Sequence, residues 1–129
     1  MFLKILHNVI RVLLALVLVM PVLGALGVFP APTADMYSPA GWAFMSALMA
    51  SGYIMQLIGI TCAVGLVLVV LNRTAIAGLV LLPMTVNVVL FHLVVDGSFF
   101  GPAATFAWIL VVGNLYFLYD NIEEYKNLW

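Results

Sequence analysis

Charge is what this chain of 129 residues has least of: four Lys and Arg, five Asp and Glu, a net charge of -1, and only 7% charged residues in all. Soluble domains carry about 25%. With 67% hydrophobic residues and a mean hydropathy of +1.27, the chain has too little polar surface for water, and its expected partner is a lipid bilayer. A net charge this close to zero gives no basis for nucleic-acid binding. The single cysteine, Cys62, excludes an intrachain disulfide and a thiolate cluster, so no metal site is expected. The C-x-x-C, H-E-x-x-H, P-loop and G-x-S-x-G patterns are all missing. The sequence therefore assigns no catalytic residue and decides neither for nor against an enzyme.

What is present is apolar runs of membrane length. The clearest lies between Arg73 and Asp96, where no residue carries a permanent charge; an α-helix rising about 1.5 Å per residue needs about 20 such residues to cross a hydrocarbon core of about 30 Å. Residues 75–95 are one expected span. Residues 5–28 are another; a cleaved signal peptide is the rival reading of this stretch, but its apolar run exceeds a signal core and contains Pro21. Residues 53–71 and 102–119 complete a set of four. Between the first and second spans, three prolines in 29–39 enforce a loop. Residues 39–51, opened by a Ser38 cap and Pro39, are apolar over too short a length to cross and read as a short interfacial helix. The expected fold is all-α, a single polytopic membrane domain over 1–129 built as a four-helix bundle.

Orientation follows from the basic residues. Lys4, Arg11, Arg73 and Lys126 fall at the amino end, the turn between the second and third spans and the carboxyl tail. An even span count puts these on one side, and the Lys/Arg bias makes that side, with both termini, cytoplasmic. Tyr116, Tyr119, Tyr125 and Trp129 then suit the inner interface, and Tyr37, Trp42 and Tyr53 the outer one.

Polar side chains inside spans must find partners within the protein. On an ideal wheel Thr85, His92 and Asp96 share a stripe, and the second span enters at the same outer depth with Tyr53 and Gln56. Together these five residues predict an outer-leaflet pocket for a polar head such as a quinone carbonyl, with Met45, Met49, Met55 and Phe91 covering its tail. The plainer alternative is that His92 and Asp96 pair with each other and mark a helix end. Near the midplane Asn87, Thr61 and Asn114 are expected to hydrogen-bond between helices. Pro83 frees a carbonyl near residue 79 and predicts a bend. At the inner face His7 and Arg11 share a helical side with Asn8 adjacent, Arg11 being expected to snorkel to the headgroups or to contact a phospholipid phosphate. Gly52, Gln56, Gly59 and Ala63 make a small-residue face.

Nearly the whole chain resembles the DoxX family of small four-span bacterial membrane proteins, through FMSALMASGY at 44–53, LVLLPMTVNVVLFHLVVD at 79–96 and NLYFLYD at 114–120. The resemblance implies a four-helix membrane bundle in the bacterial inner membrane, with a short extra helix after the first span. It also implies, for some relatives, membrane redox work with quinone as acceptor. Two features depart from the family pattern. A Glu common in the second span is replaced by uncharged GITCAVG, and a Gly-x-x-Lys after the first span is absent, Gly24 and Gly27 being followed by Val28 and Phe29. Two functions are compatible with these residues. One is a redox accessory binding quinone or another lipid-soluble ligand; the other is a non-enzymatic subunit or assembly factor that docks another membrane protein or self-associates through its small-residue face.

Overall fold

The computed structural model describes residues 1–98 and 100–127, of which 81% are helical and none lie in strands. The elements are α1 (Phe2–Ala25), α2 (Pro39–Ala50), α3 (Ile54–Val70), α4 (Thr74–Leu90), α5 (Pro102–Asp120) and α6 (Ile122–Lys126). A 3-10 turn occupies Ala34–Met36, and a π-helical turn, Phe91–Val95, prolongs α4. Trp129, assigned above to the inner interface, lies outside the described residues.

Two apolar segments are long enough to cross a membrane, Phe2–Ala25 and Thr74–Val95, with 24 and 22 residues and a mean hydropathy of 2.2 each. α2 and α3 together amount to a third only if counted as one segment, and they are bent by 88° at their junction. From Ala104 onward α5 is a shorter apolar helix. The described helices thus include two or three membrane-length segments, fewer than the four spans expected.

Helix ends follow from local chemistry. α1 begins three residues before the expected 5–28 and ends at Ala25, where Gly27, at φ +73°, stops it. The Gly27 N–H donates to the Gly24 carbonyl and the Val28 N–H to that of Leu23, each at 3.0 Å, which is a Schellman closure. α3 ends in the same way with Asn72 in the left-handed position (φ 57°), its N–H donating to the Val69 carbonyl at 3.1 Å and that of Arg73 to Leu68 at 2.8 Å. Asparagine tolerates this conformation better than other residues bearing a Cβ. α2 starts where Ser38 accepts the Gly41 N–H at 3.1 Å, with Pro39 in the first turn where no N–H is needed.

α1, α3, α4 and α5 pack in a ring in which each touches two others, around Leu14, Leu18, Cys62, Val69, Ala77, Leu81, Leu110 and Phe117. Glycines permit the closest approaches: a Cβ on Gly59 would overlap that of Ala25 in α1, and one on Gly65 would meet the Leu81 side chain in α4. This corrects the small-residue face. Gly59 is buried inside the α1–α3 contact, while Gly52 and Gln56 are exposed at the helix entrance, so the four residues do not form one open docking surface. The tail folds back on the bundle: the Tyr125 hydroxyl donates to the Ala75 carbonyl at 2.7 Å, and the Asn121 amide to the Thr74 hydroxyl at 3.1 Å.

Candidate functional site

Two polar clusters cap opposite ends of the ring, and one polar contact lies between them. The first is built by the π-turn. There the Asp96 N–H reaches the Phe91 carbonyl five residues back, at 2.8 Å, and Gly97, at φ +68°, turns the chain so that Ser98 comes back over it. The Ser98 hydroxyl donates to Asp96 Oδ2 and lies 3.3 Å from His92 Nδ1. Asp96 Oδ1 accepts the Ser38 N–H at 2.7 Å, which sets a carboxylate at the positive end of α2. Gly41 is required here, because any Cβ would run into the Asp96 carboxylate. The Ser98 hydroxyl, helped by the backbone and hydroxyl of Ser38 and opposed by burial, holds the Asp96 carboxyl below its ordinary value.

This cluster is closed. His92 and Asp96 are each 8% exposed, and both Asp96 oxygens are engaged. Phe91, Tyr37, Phe44 and Trp42 cover it, with ring centroids 5.9 Å apart for Tyr37–Phe91 and 5.7 Å for Phe44–Phe91. Burial, reinforced by the nearby Asp96 charge, pushes the Tyr37 phenol up from its ordinary value. The five residues expected to share a pocket here do not converge. Tyr53 is 65% exposed, and the exposed Gln56 amide, oriented with its nitrogen donating, reaches the Gly52 and Tyr53 carbonyls of its own helix entrance at 3.1 and 3.3 Å. Thr85 shares an ideal helical face with His92 but lies seven residues, or about 10 Å, deeper. Nor do His92 and Asp96 pair directly; Ser98 bridges them.

At mid-depth Thr85 is half of the contact that joins α4 to α5. The Asn114 amide donates to the Thr85 hydroxyl at 2.9 Å, and that hydroxyl donates to the Leu81 carbonyl at 2.9 Å. Asn114 Oδ1 is buried and has no partner among the described residues. The expectation that Asn87 and Thr61 meet Asn114 is corrected. Asn87 is exposed and Thr61 half-buried, and both bond within their own helices, Asn87 to the Pro83 carbonyl and Thr61 to that of Leu57, each at 2.9 Å.

The second cluster sits where α1 begins, α3 ends and α5 ends. His7 Nδ1 lies 3.0 Å from Asp120 Oδ2 and Nε2 lies 3.1 Å from Asn72 Oδ1. Nδ1–H donates to the Asp120 carboxylate, while Nε2 meets the Asn72 amide as donor to its oxygen or acceptor from its nitrogen, according to the tautomer of the ring. Asn72 can reach His7 because its left-handed conformation closes α3. One turn along α1, Arg11 donates to the Val69 carbonyl at 3.0 and 3.1 Å and to the Val70 carbonyl at 2.9 Å. Both are last-turn carbonyls, Val69 offering Arg11 the lone pair left beside the Asn72 N–H, so Arg11 clamps the end of α3 rather than snorkelling.

A cavity of about 430 Å³ opens beside His7, lined by Leu3, Lys4, Asn8, Asn72, Tyr116 and Asp120. Along the same α1–α5 seam a groove of about 370 Å³ follows, lined by Ile10, Leu13, Thr105, Trp108, Ile109, Val112 and Gly113. The helices run antiparallel there, since His7 packs on Phe117 while a Cβ on Gly113 would touch Leu14, so cavity and groove follow one another along the α1–α5 seam. Sequence reasoning placed His7, Asn8 and Tyr116 at the inner face but did not join to them Asn72 and Asp120. Their only signal was position, in a turn and at a helix end.

The chain matches no protein-family model, no curated protein and no solved structure. Fold and composition define an all-α protein with apolar helices of membrane-crossing length, polar at both ends of its helical ring.

Proposed function

We propose that this is a four-span inner-membrane protein of the kind it resembles, the DoxX proteins, and that it serves as a redox accessory holding the head of a quinone-like, lipid-soluble molecule. The observation that carries this reading is the cavity of about 430 Å³ beside His7, within the range of about 300–1,000 Å³ usual for small-molecule sites. Lys4, Asn8 and the Tyr116 hydroxyl bring donors suited to carbonyl oxygens, and the His7–Asp120 pair can hold a proton beside them. A quinone bound there would supply a couple of two electrons and two protons. The groove between α1 and α5 offers an apolar path for its tail. The outer-leaflet pocket expected from His92 is not favoured, because that cluster is closed and ties α2 to the π-turn. The docking-subunit reading loses its small-residue face to Ala25.

Two measurements test the proposal. His7→Ala should lower the quinone retained by the purified protein about tenfold or more, since it removes the His7–Asp120 bond that shapes the cavity wall, and hydrogen bonds to a charged group are worth about 1.5–3 kcal/mol, whereas His92→Ala should retain it. Equal retention in wild type and His7→Ala would remove the cavity from consideration. For the spans and orientation, Ala34→Cys and Asn127→Cys, each made in a Cys62→Ala background, should label from opposite sides of the membrane, Asn127→Cys from the cytoplasm. Labelling from one side would refute the four-span arrangement.

A further inference from the structure

Asn87 lies eight residues from Val95 and thirteen from Thr74, hence within about 4 Å of the middle of a 22-residue apolar helix. Its side chain is nevertheless exposed. One amide hydrogen is spent on the Pro83 carbonyl at 2.9 Å; the other, and the amide oxygen, have no partner among the described residues. Hydrocarbon cannot satisfy them. Thr61, half-buried, lies next to Cys62 in the middle of α3, and the 3.2 Å contact between Cys62 Sγ and Met84 Sδ sets the two helices in register there. Thr61 and Asn87 therefore flank the outer side of one α3–α4 seam at one depth.

The residues around Asn87 on α4 recur at four and three: Ile76, Val80, Pro83, Asn87 and Leu90. This is the spacing of a helix seam with a single polar position, a position that fixes register between like helices. Ile76 and Leu90 are 53% and 50% exposed and Val80 is half-buried, so the described residues leave much of the stripe open.

We propose that a second copy of this chain covers it, α4 against α4, with the two Asn87 amides paired across a twofold axis along the membrane normal. Such an axis brings each residue opposite itself at the same depth. A carboxamide carries both a donor and an acceptor and is complementary to its own image. The pair uses the second amide hydrogen and the amide oxygen of each copy, which leaves no hydrogen-bonding group of Asn87 facing hydrocarbon. The proposal does not depend on the cavity at His7.

The test uses the whole protein in liposomes, with energy transfer between labelled copies followed as lipid is added. Wild type should dimerise. Asn87→Leu should weaken dimerisation by about 5–30-fold, the range for polar contacts between membrane helices, with helicity and thermal unfolding unchanged, and Asn87→Gln should restore much of the loss. Independently of that variant, Leu90→Cys in a Cys62→Ala background should form an oxidative cross-link between copies, and Val112→Cys on α5 should not. A monomeric wild type, undiminished association of Asn87→Leu, or equal cross-linking at Val112→Cys would each overturn the proposal.

Discussion

Gly59→Val is expected to be among the most damaging single substitutions in the ring, lowering stability in detergent by about 3 kcal/mol or more, at or beyond the upper end of overpacking costs. The branched side chain would have to enter the space held by the Ala25 Cβ, with the Pro21 carbonyl 3.6 Å from the same point, so relief requires moving α1 as a body. That movement would also draw His7 away from Asn72 and Asp120. Gly24→Val is the matched control, because a Cβ there meets nothing within 4 Å. Chemical unfolding of both variants checks the expectation; equal stabilities would mean that α1 and α3 do not pack as described.

Asp96→Ala is expected to release α2 while leaving the four-helix ring folded. It removes the acceptor for the Ser38 N–H and for the Ser98 hydroxyl at once, and each buried donor left unpaired costs about 1–3 kcal/mol. Hydrogen exchange at the Ser38–Gly41 amides should rise at least tenfold, with exchange in α3 unchanged. Acid should reproduce the effect in wild type. The Asp96 carboxyl titrates below its ordinary value in the folded chain. Its contribution is therefore full above the unfolded value of about 3.9 and is lost as pH falls through the lower folded one. Asp96→Asn should abolish the acid step, and an acid step that persisted in that variant would assign it to another group.

The helices were legible in the sequence because long uncharged runs leave no other way to satisfy the backbone in an apolar medium. Ser38 and Pro39 likewise announced the start of α2 through chemistry that acts within one turn. Contacts between helices were not legible. An ideal wheel gave Thr85 and His92 a common angle, but angle says nothing of depth, and about 10 Å along the axis sends one to Asn114 and the other to Ser98. The π-turn at Phe91–Val95 has no sequence mark. Asn87 and Thr61 looked like interhelical donors, yet each has its own carbonyl four residues back, an option open to short polar side chains in any helix. The distance from His7 to Asp120 in the chain, 113 residues, is beyond any periodicity argument.

The Arg11 clamp has a consequence in time. In the proposed membrane arrangement the guanidinium enters the bilayer with α1, whereas the carbonyls it needs belong to residues made 58 and 59 positions later. During synthesis α1 thus carries a cation whose acceptors do not yet exist, and an arginine in that state stays near the headgroups, where water can reach it. Only when the Asn72 turn has closed α3 are the Val69 and Val70 carbonyls presented, and the charge can then draw inward against them. The depth at which the first helix comes to rest is decided by the end of the third.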